Sequence, residues 1–206
     1  PLEVLTYVLG TGVFNLGAWG TRSEPRRTGY EYNWARSSAM AGSTFNRGHS
    51  DIIGQGQHTG LAAQITSGLI DTVIIWIGAN DYSPTLLTYD DVYDGTVAGA
   101  DLTSKEDSII SNITTAVDTV RTAGAVVRVL LFNVVDPGEF SQMQSLFPNA
   151  TFRQRVTDSV ARVNTRINDI VSARSNVVLV DYFNFVDAIN AEYTISSNQF
   201  TIAGVV

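Results

Sequence analysis

The sequence predicts an α/β domain in three layers, an α/β/α sandwich with helices on both faces of a mostly parallel sheet. Three observations lead there. "DTVIIWIG" (71–78) is apolar throughout rather than alternating, as parallel strands covered on both faces tend to be. Two further apolar runs, "VVRVLLFNVVDPG" (126–138) and "NVVLVDY" (176–182), follow it. Segments of helical periodicity separate the three, and strands alternating with helices of that length imply right-handed crossovers between parallel neighbours.

The elements can be taken in order. "PLEVLTYVLG" (1–10) sets Leu2, Leu5 and Leu9 at helical spacing, with Gly10 as a C-terminal stop. In "GYEYNWARSS" (29–38) β-favouring aromatics run into small residues, which predicts a short strand over 31–35 and then a turn. "TGLAAQITSG" (59–68) reads as a short helix and 71–77 as the clearest buried strand. "TSKE" (103–106) has the Thr-x-x-Glu form of a capping box. Beyond it Ile109, Ile110, Ile113, Ala116, Val117 and Val120 mark one helical face, and Gly124 is placed to cap the end. A strand over 126–132 follows. A second long helix runs from Arg153 to Arg174, with Val156, Val160, Val163, Ile167, Ile170 and Val171 on one face, and a last strand occupies 177–181. No repeat, low-complexity tract or long linker interrupts the pattern, so residues 1–206 read as one domain.

Composition excludes several classes of function. With 13 basic against 20 acidic residues the net charge is −7, a surface that repels phosphate and argues against nucleic acid or anionic membranes as partners. No window approaches the roughly 18 consecutive apolar residues that a membrane span needs. The absence of cysteine removes disulfides, thiolate catalysis and cysteine-ligated zinc, while leaving the compartment open. Asp90, Asp91 and Asp94 lack the Gly and terminal Glu of a calcium loop, so they read as a solvated acidic loop, and no metal is expected.

In open parallel sheets functional groups collect outside the carboxyl ends of the strands. Three loops qualify: "SSAMAGST" (37–44), "GANDY" (78–82) and "NVVDPGE" (133–139). From the residues alone, Asn80 and Asp81 are either rim groups with a chemical task or caps of a turn, since both types favour turns.

"GANDY" resembles the Gly-x-Asn-Asp block of the SGNH (GDSL-type) ester hydrolases, and "NWARSSAMA" (33–41) resembles that family's second block. The resemblance implies a flavodoxin-like sheet, a small-molecule ester substrate and no metal or organic cofactor. It also implies that Asn80 offers its side-chain amide to the oxyanion of a tetrahedral intermediate. The backbone N–H of Ser38 would be the second donor, at a position where the family usually has Gly. Gly78, Asp81 and Asn33 would support the two loops. Trp19 and His58 are further candidates for a substrate cleft.

The family's nucleophile lies in a Gly-Asp-Ser block and its base in an Asp-x-x-His block. Neither occurs in the 206 residues, and both histidines, His49 and His58, precede "GANDY". The expectation is therefore a single SGNH-type domain truncated at both ends, whose complete form uses a Ser-His-Asp mechanism in an extracytoplasmic setting. The alternative is a non-catalytic binding module on the same fold that has lost the triad.

Overall fold

The computed structural model describes residues 32–124 and 127–192. Helix α1 (Gln57–Thr66) precedes strand β1 (Thr72–Ile75), a 3-10 turn (Ala79–Tyr82) and helices α2 (Thr88–Tyr93) and α3 (Gly99–Arg121). Strand β2 (Arg128–Phe132), a second 3-10 turn (Pro137–Glu139), α4 (Ser141–Leu146), α5 (Ala150–Ser172), β3 (Val177–Val180) and α6 (Tyr182–Glu192) complete the series. The predicted helix over 1–10 and Trp19 lie outside the described residues.

The three strands pair in the order β1-β2-β3, all parallel. Ile75 lies beside Leu131, and Leu131 beside Leu179. Long helical crossovers between these strands leave parallel pairing as the natural outcome. On one face Val73, Ile75, Val129 and Leu131 are buried beneath α3 and α5, whose own apolar stripes include Ile109, Ile113 and Val117, and Val156, Val160 and Val163. Each such fully buried aliphatic side chain contributes about 1.5–3 kcal/mol. The other face carries an aromatic row. The Trp76 ring stacks on Phe132 at 5.3 Å and meets Tyr182, the first residue of α6, edge-on at 4.9 Å. Helices thus pack around a small parallel sheet in the three-layer α/β/α arrangement.

Four local expectations are corrected. Residues 33–36 form no strand. The Asn33 Oδ1 accepts the Ala35 N–H at 3.1 Å, a local bond that competes with a ladder, and the Trp34 ring packs so tightly over α1 that a Cβ on Gly60 would sit 2.2 Å from it. The capping box at 103–106 does not cap, because α3 already begins at Gly99. Its Glu106 serves a tertiary role instead, taking Arg162 Nη2 at 2.7 Å and the Ser159 hydroxyl at 2.6 Å. Gly124 is not the cap of α3. That helix closes on Thr122, whose N–H reaches the Asp118 carbonyl, and Gly124 lets Ile65 approach. Nor is the 90–94 segment simply solvated, since Asp91 is buried and accepts Arg47 Nε at 2.8 Å. No helix among the described residues is long and apolar enough to cross a membrane.

Candidate active site

The rim is built from the exit of β1 outward. After Ile75 the chain reaches Gly78 at φ 110, a conformation that side chains rarely adopt. A Cβ there would lie 2.6 Å from Val134 Cγ2, so the residue must be glycine on both counts. Val134 is itself fixed, because Asn164 accepts its N–H and donates to its carbonyl, each at 2.8 Å. The chain then turns through Ala79–Tyr82, with the Asp81 N–H returning to the Gly78 carbonyl at 3.1 Å. This sharp turn delivers Asn80 and Asp81 to the loop that precedes α1.

Asn80 is half-buried, and its Nδ2 donates to the Ala39 carbonyl at 2.8 Å. One amide hydrogen is thereby engaged, and the second has no partner among the described residues. The Asn80 carbonyl accepts the Thr88 hydroxyl at 2.8 Å, so backbone and side chain are both held. Ala39 directly follows Ser38, an exposed residue at φ 63. A left-handed backbone at a residue with a Cβ costs roughly 1 kcal/mol or more, which is why glycine is common at such positions. Among the described residues the Ser38 N–H makes no hydrogen bond. Two neutral donors thus stand on adjoining loops, one on a side chain and one on the backbone.

Asp81 does not reach the rim. It is 1% exposed, and its two oxygens accept the N–H groups of Ala41 and Gly42, each at 2.8 Å. Burial pushes its carboxyl up to about 6, against the opposing pull of Lys105 and those two N–H groups. Its role is to tie the 39–42 loop to the exit of β1. The loop is held from α3 as well, where the Asn112 amide donates to the Ala41 carbonyl at 2.8 Å.

The remaining sequence candidates lie apart from this pair. Asn33 shapes the turn before Ala35. His58 is buried in the first turn of α1, where its Nδ1 has no hydrogen-bond partner. No bond or ion pair among the described residues joins it to Asn80 or Ser38. Beyond the sequence candidates, the structure adds Ala39, Asn112 and Lys105. Two of these had a legible trace: Lys105 falls four residues before Ile109 and Asn112 three after it, so one lies on the apolar stripe of α3 and the other at its edge. Nothing in the sequence singled out the Ala39 carbonyl, because a backbone acceptor has no residue type.

A small parallel sheet with helices packed around it defines the class of three-layer α/β/α proteins. The chain belongs to the GDSL-like Lipase/Acylhydrolase family, whose sequence profile matches residues 10–202. No curated protein and no solved structure matches it. Membership makes the chain an ester-type hydrolase in general terms, with a small-molecule ester as the corresponding substrate class.

Proposed function

We propose that the protein hydrolyses carboxylic esters, either acyl lipids or acetylated sugars, by serine attack, with Asn80 and the Ser38 N–H as the oxyanion donors. The observation that carries this reading is the bond from Asn80 Nδ2 to the Ala39 carbonyl. It fixes the amide against Ala39, the residue after Ser38 in the chain, and it leaves the second amide hydrogen without a partner among the described residues. When a serine oxygen attacks the ester carbonyl, the carbonyl oxygen gains negative charge. Neutral donors aimed at that point stabilise it without needing a protonation state.

The nucleophile and base belong to Gly-Asp-Ser and Asp-x-x-His segments, which are not among these 206 residues. In a family member that carries both segments, an aspartate holds the base histidine in the manner of other serine hydrolases. In this reading residues 1–206 alone do not turn over ester, because a serine hydroxyl is a weak nucleophile without a base in hydrogen-bond reach.

The test compares two proteins on nitrophenyl acetate. The first is the 206-residue chain, and the second is the chain extended through whatever coding sequence flanks it. Turnover by the extended form alone supports the assignment. Saturable turnover by the 206 residues that disappears in His58→Ala would overturn it and move the chemistry to α1. Flanking sequence without either block would favour the binding-module reading.

A further inference from the structure

Lys105 occupies an unusual position for an ammonium. It is 1% exposed, in the second turn of α3. Its one recorded hydrogen bond is a long one, from Nζ to the Phe45 carbonyl at 3.5 Å, and its Nζ lies 5.7 Å from the centre of the Tyr82 ring. Among the described residues it has no direct ion pair. A buried charge without a contacting counter-ion is costly, so its retention calls for a compensating field.

The turn that bears the Tyr82 ring also bears a buried carboxylate, Asp81, the residue directly before it. Both Asp81 oxygens are occupied by the Ala41 and Gly42 N–H groups, and the backbone of Gly42 is pressed close. A Cβ there would lie 2.9 Å from Asp81 Oδ1 and 2.8 Å from Ser108 Oγ. A carboxylate can accept both bonds fully. A carboxylic acid carries a proton on one oxygen, and that proton would have to find an acceptor where two N–H groups already converge. The loop is therefore matched to the charged form.

We propose that Lys105 is a positioning residue of the candidate active site: from α3 it supplies the buried positive charge that keeps Asp81 a carboxylate. Through Asp81 it holds the loop that bears Ser38 and the carbonyl that aims Asn80. The functional consequence rests on the oxyanion reading of Asn80 and Ser38, whereas the charge coupling itself does not.

The neighbouring charges are few. Asp81 is faced by Lys105 from α3, with Tyr82, Glu106 and Arg162 forming the next polar group, since the Tyr82 hydroxyl bonds Ser159 at 2.8 Å and Ser159 bonds Glu106. Lys105 is acted on by Asp81 and by Asp91 of α2, the latter already paired with Arg47. Burial draws the ammonium below the ordinary lysine range and drives the Asp81 carboxyl up to about 6. The Asp81 carboxyl, so raised, changes charge between pH 4 and 8, and the Ala41 and Gly42 N–H groups bonded to it should report that change.

Amide NMR of the 206-residue chain across pH 4 to 8 tests this without any assay of activity. The Ala41 and Gly42 resonances should move together with one midpoint near pH 6. Lys105→Met should shift that midpoint upward by about one unit, the smaller end of the effect of an opposite charge, and Lys105→Arg should return it toward the wild-type value. If Lys105→Met is unfolded at pH 7, it should recover structure below pH 6, because protonating Asp81 removes the uncompensated charge. A packing role alone predicts a loss that does not depend on pH. An unmoved midpoint in a folded Lys105→Met, or a loss of structure equal at pH 5 and pH 7, would overturn the proposal. Asn80→Ala kinetics test the catalytic reading separately, so failure of one leaves the other standing.

Discussion

The Asn80 amide and the Ala39 carbonyl meet at 2.8 Å, and this bond, beside the two that Asp81 accepts from Ala41 and Gly42, joins the exit of β1 to the loop before α1. In the proposed reading Asn80 has two uses, as tether and as donor, which stability and kinetics measure separately. Asn80→Asp keeps the size but sets a carboxylate against the Ala39 carbonyl, replacing attraction by repulsion. A loss of about 1–3 kcal/mol is expected, the usual result of leaving a buried acceptor unsatisfied. Urea unfolding reads it directly, and a midpoint equal to wild type would mean that the bond contributes nothing.

Gly78→Ala should be among the most damaging single changes at the rim. The backbone sits at φ 110, and the new methyl would lie 2.6 Å from Val134 Cγ2. Strain at such a φ costs about 1–3 kcal/mol before the clash is added. Thermal unfolding should show a clear fall in Tm. An unchanged Tm would imply that the turn has a second conformation open to it.

Ser38, at φ 63, allows the opposite experiment. Ser38→Gly relieves a left-handed backbone but frees the unfolded chain, and the two effects, each roughly 0.5–1 kcal/mol or somewhat more, nearly cancel. Ser38→Val, β-branched at the same φ, should instead destabilise by more than about 1 kcal/mol. Equal stability of the two variants would show that the backbone there is not held as described.

The pH dependence follows from Asp81 and Asp118, with opposite signs. The Asp81 carboxyl is raised to about 6 in the fold, so its contribution is full below the unfolded value near 3.8 and is lost as pH rises toward 6. At 1.36 kcal/mol per unit the loss is at most about 3 kcal/mol. Asp118, paired with Arg174 and Arg121, is lowered to about 2. Its contribution is present above about 4 and fades as pH falls through 2. Stability from these two groups should therefore peak near pH 4, and Asp81→Asn should remove the decline on the neutral side. A curve that rises steadily from pH 4 to 7 would contradict the assignment to Asp81.

The parallel core was legible because β1, β2 and β3 each begin from apolar runs, and α3 and α5 show their stripes as a 3.6-residue period. What misled were local motifs with tertiary competitors. Thr-x-x-Glu at 103–106 matches a capping box, yet Glu106 is claimed by Arg162 and Ser159 across the helix interface. The aromatics of 30–34 favour a strand, yet Trp34 packs on α1 and Asn33 bonds within its own turn. At the rim, Gly78 and Asn80 were visible as residue types in a pattern. Ala39 was not, since its contribution is a carbonyl, and Lys105 left only the trace of its place on the apolar stripe of α3.

The central claim is that Asn80 stabilises an oxyanion. The most direct measurement is kcat and KM for Asn80→Ala, made in whichever form of the protein, the 206-residue chain or the chain extended through its flanking coding sequence, turns over a short-chain nitrophenyl ester. Loss of a donor used only in the transition state predicts a fall in kcat of about 10²–10³ with KM little changed. A fall of less than about tenfold, or one confined to KM, would contradict that claim and leave Asn80 as a turn cap.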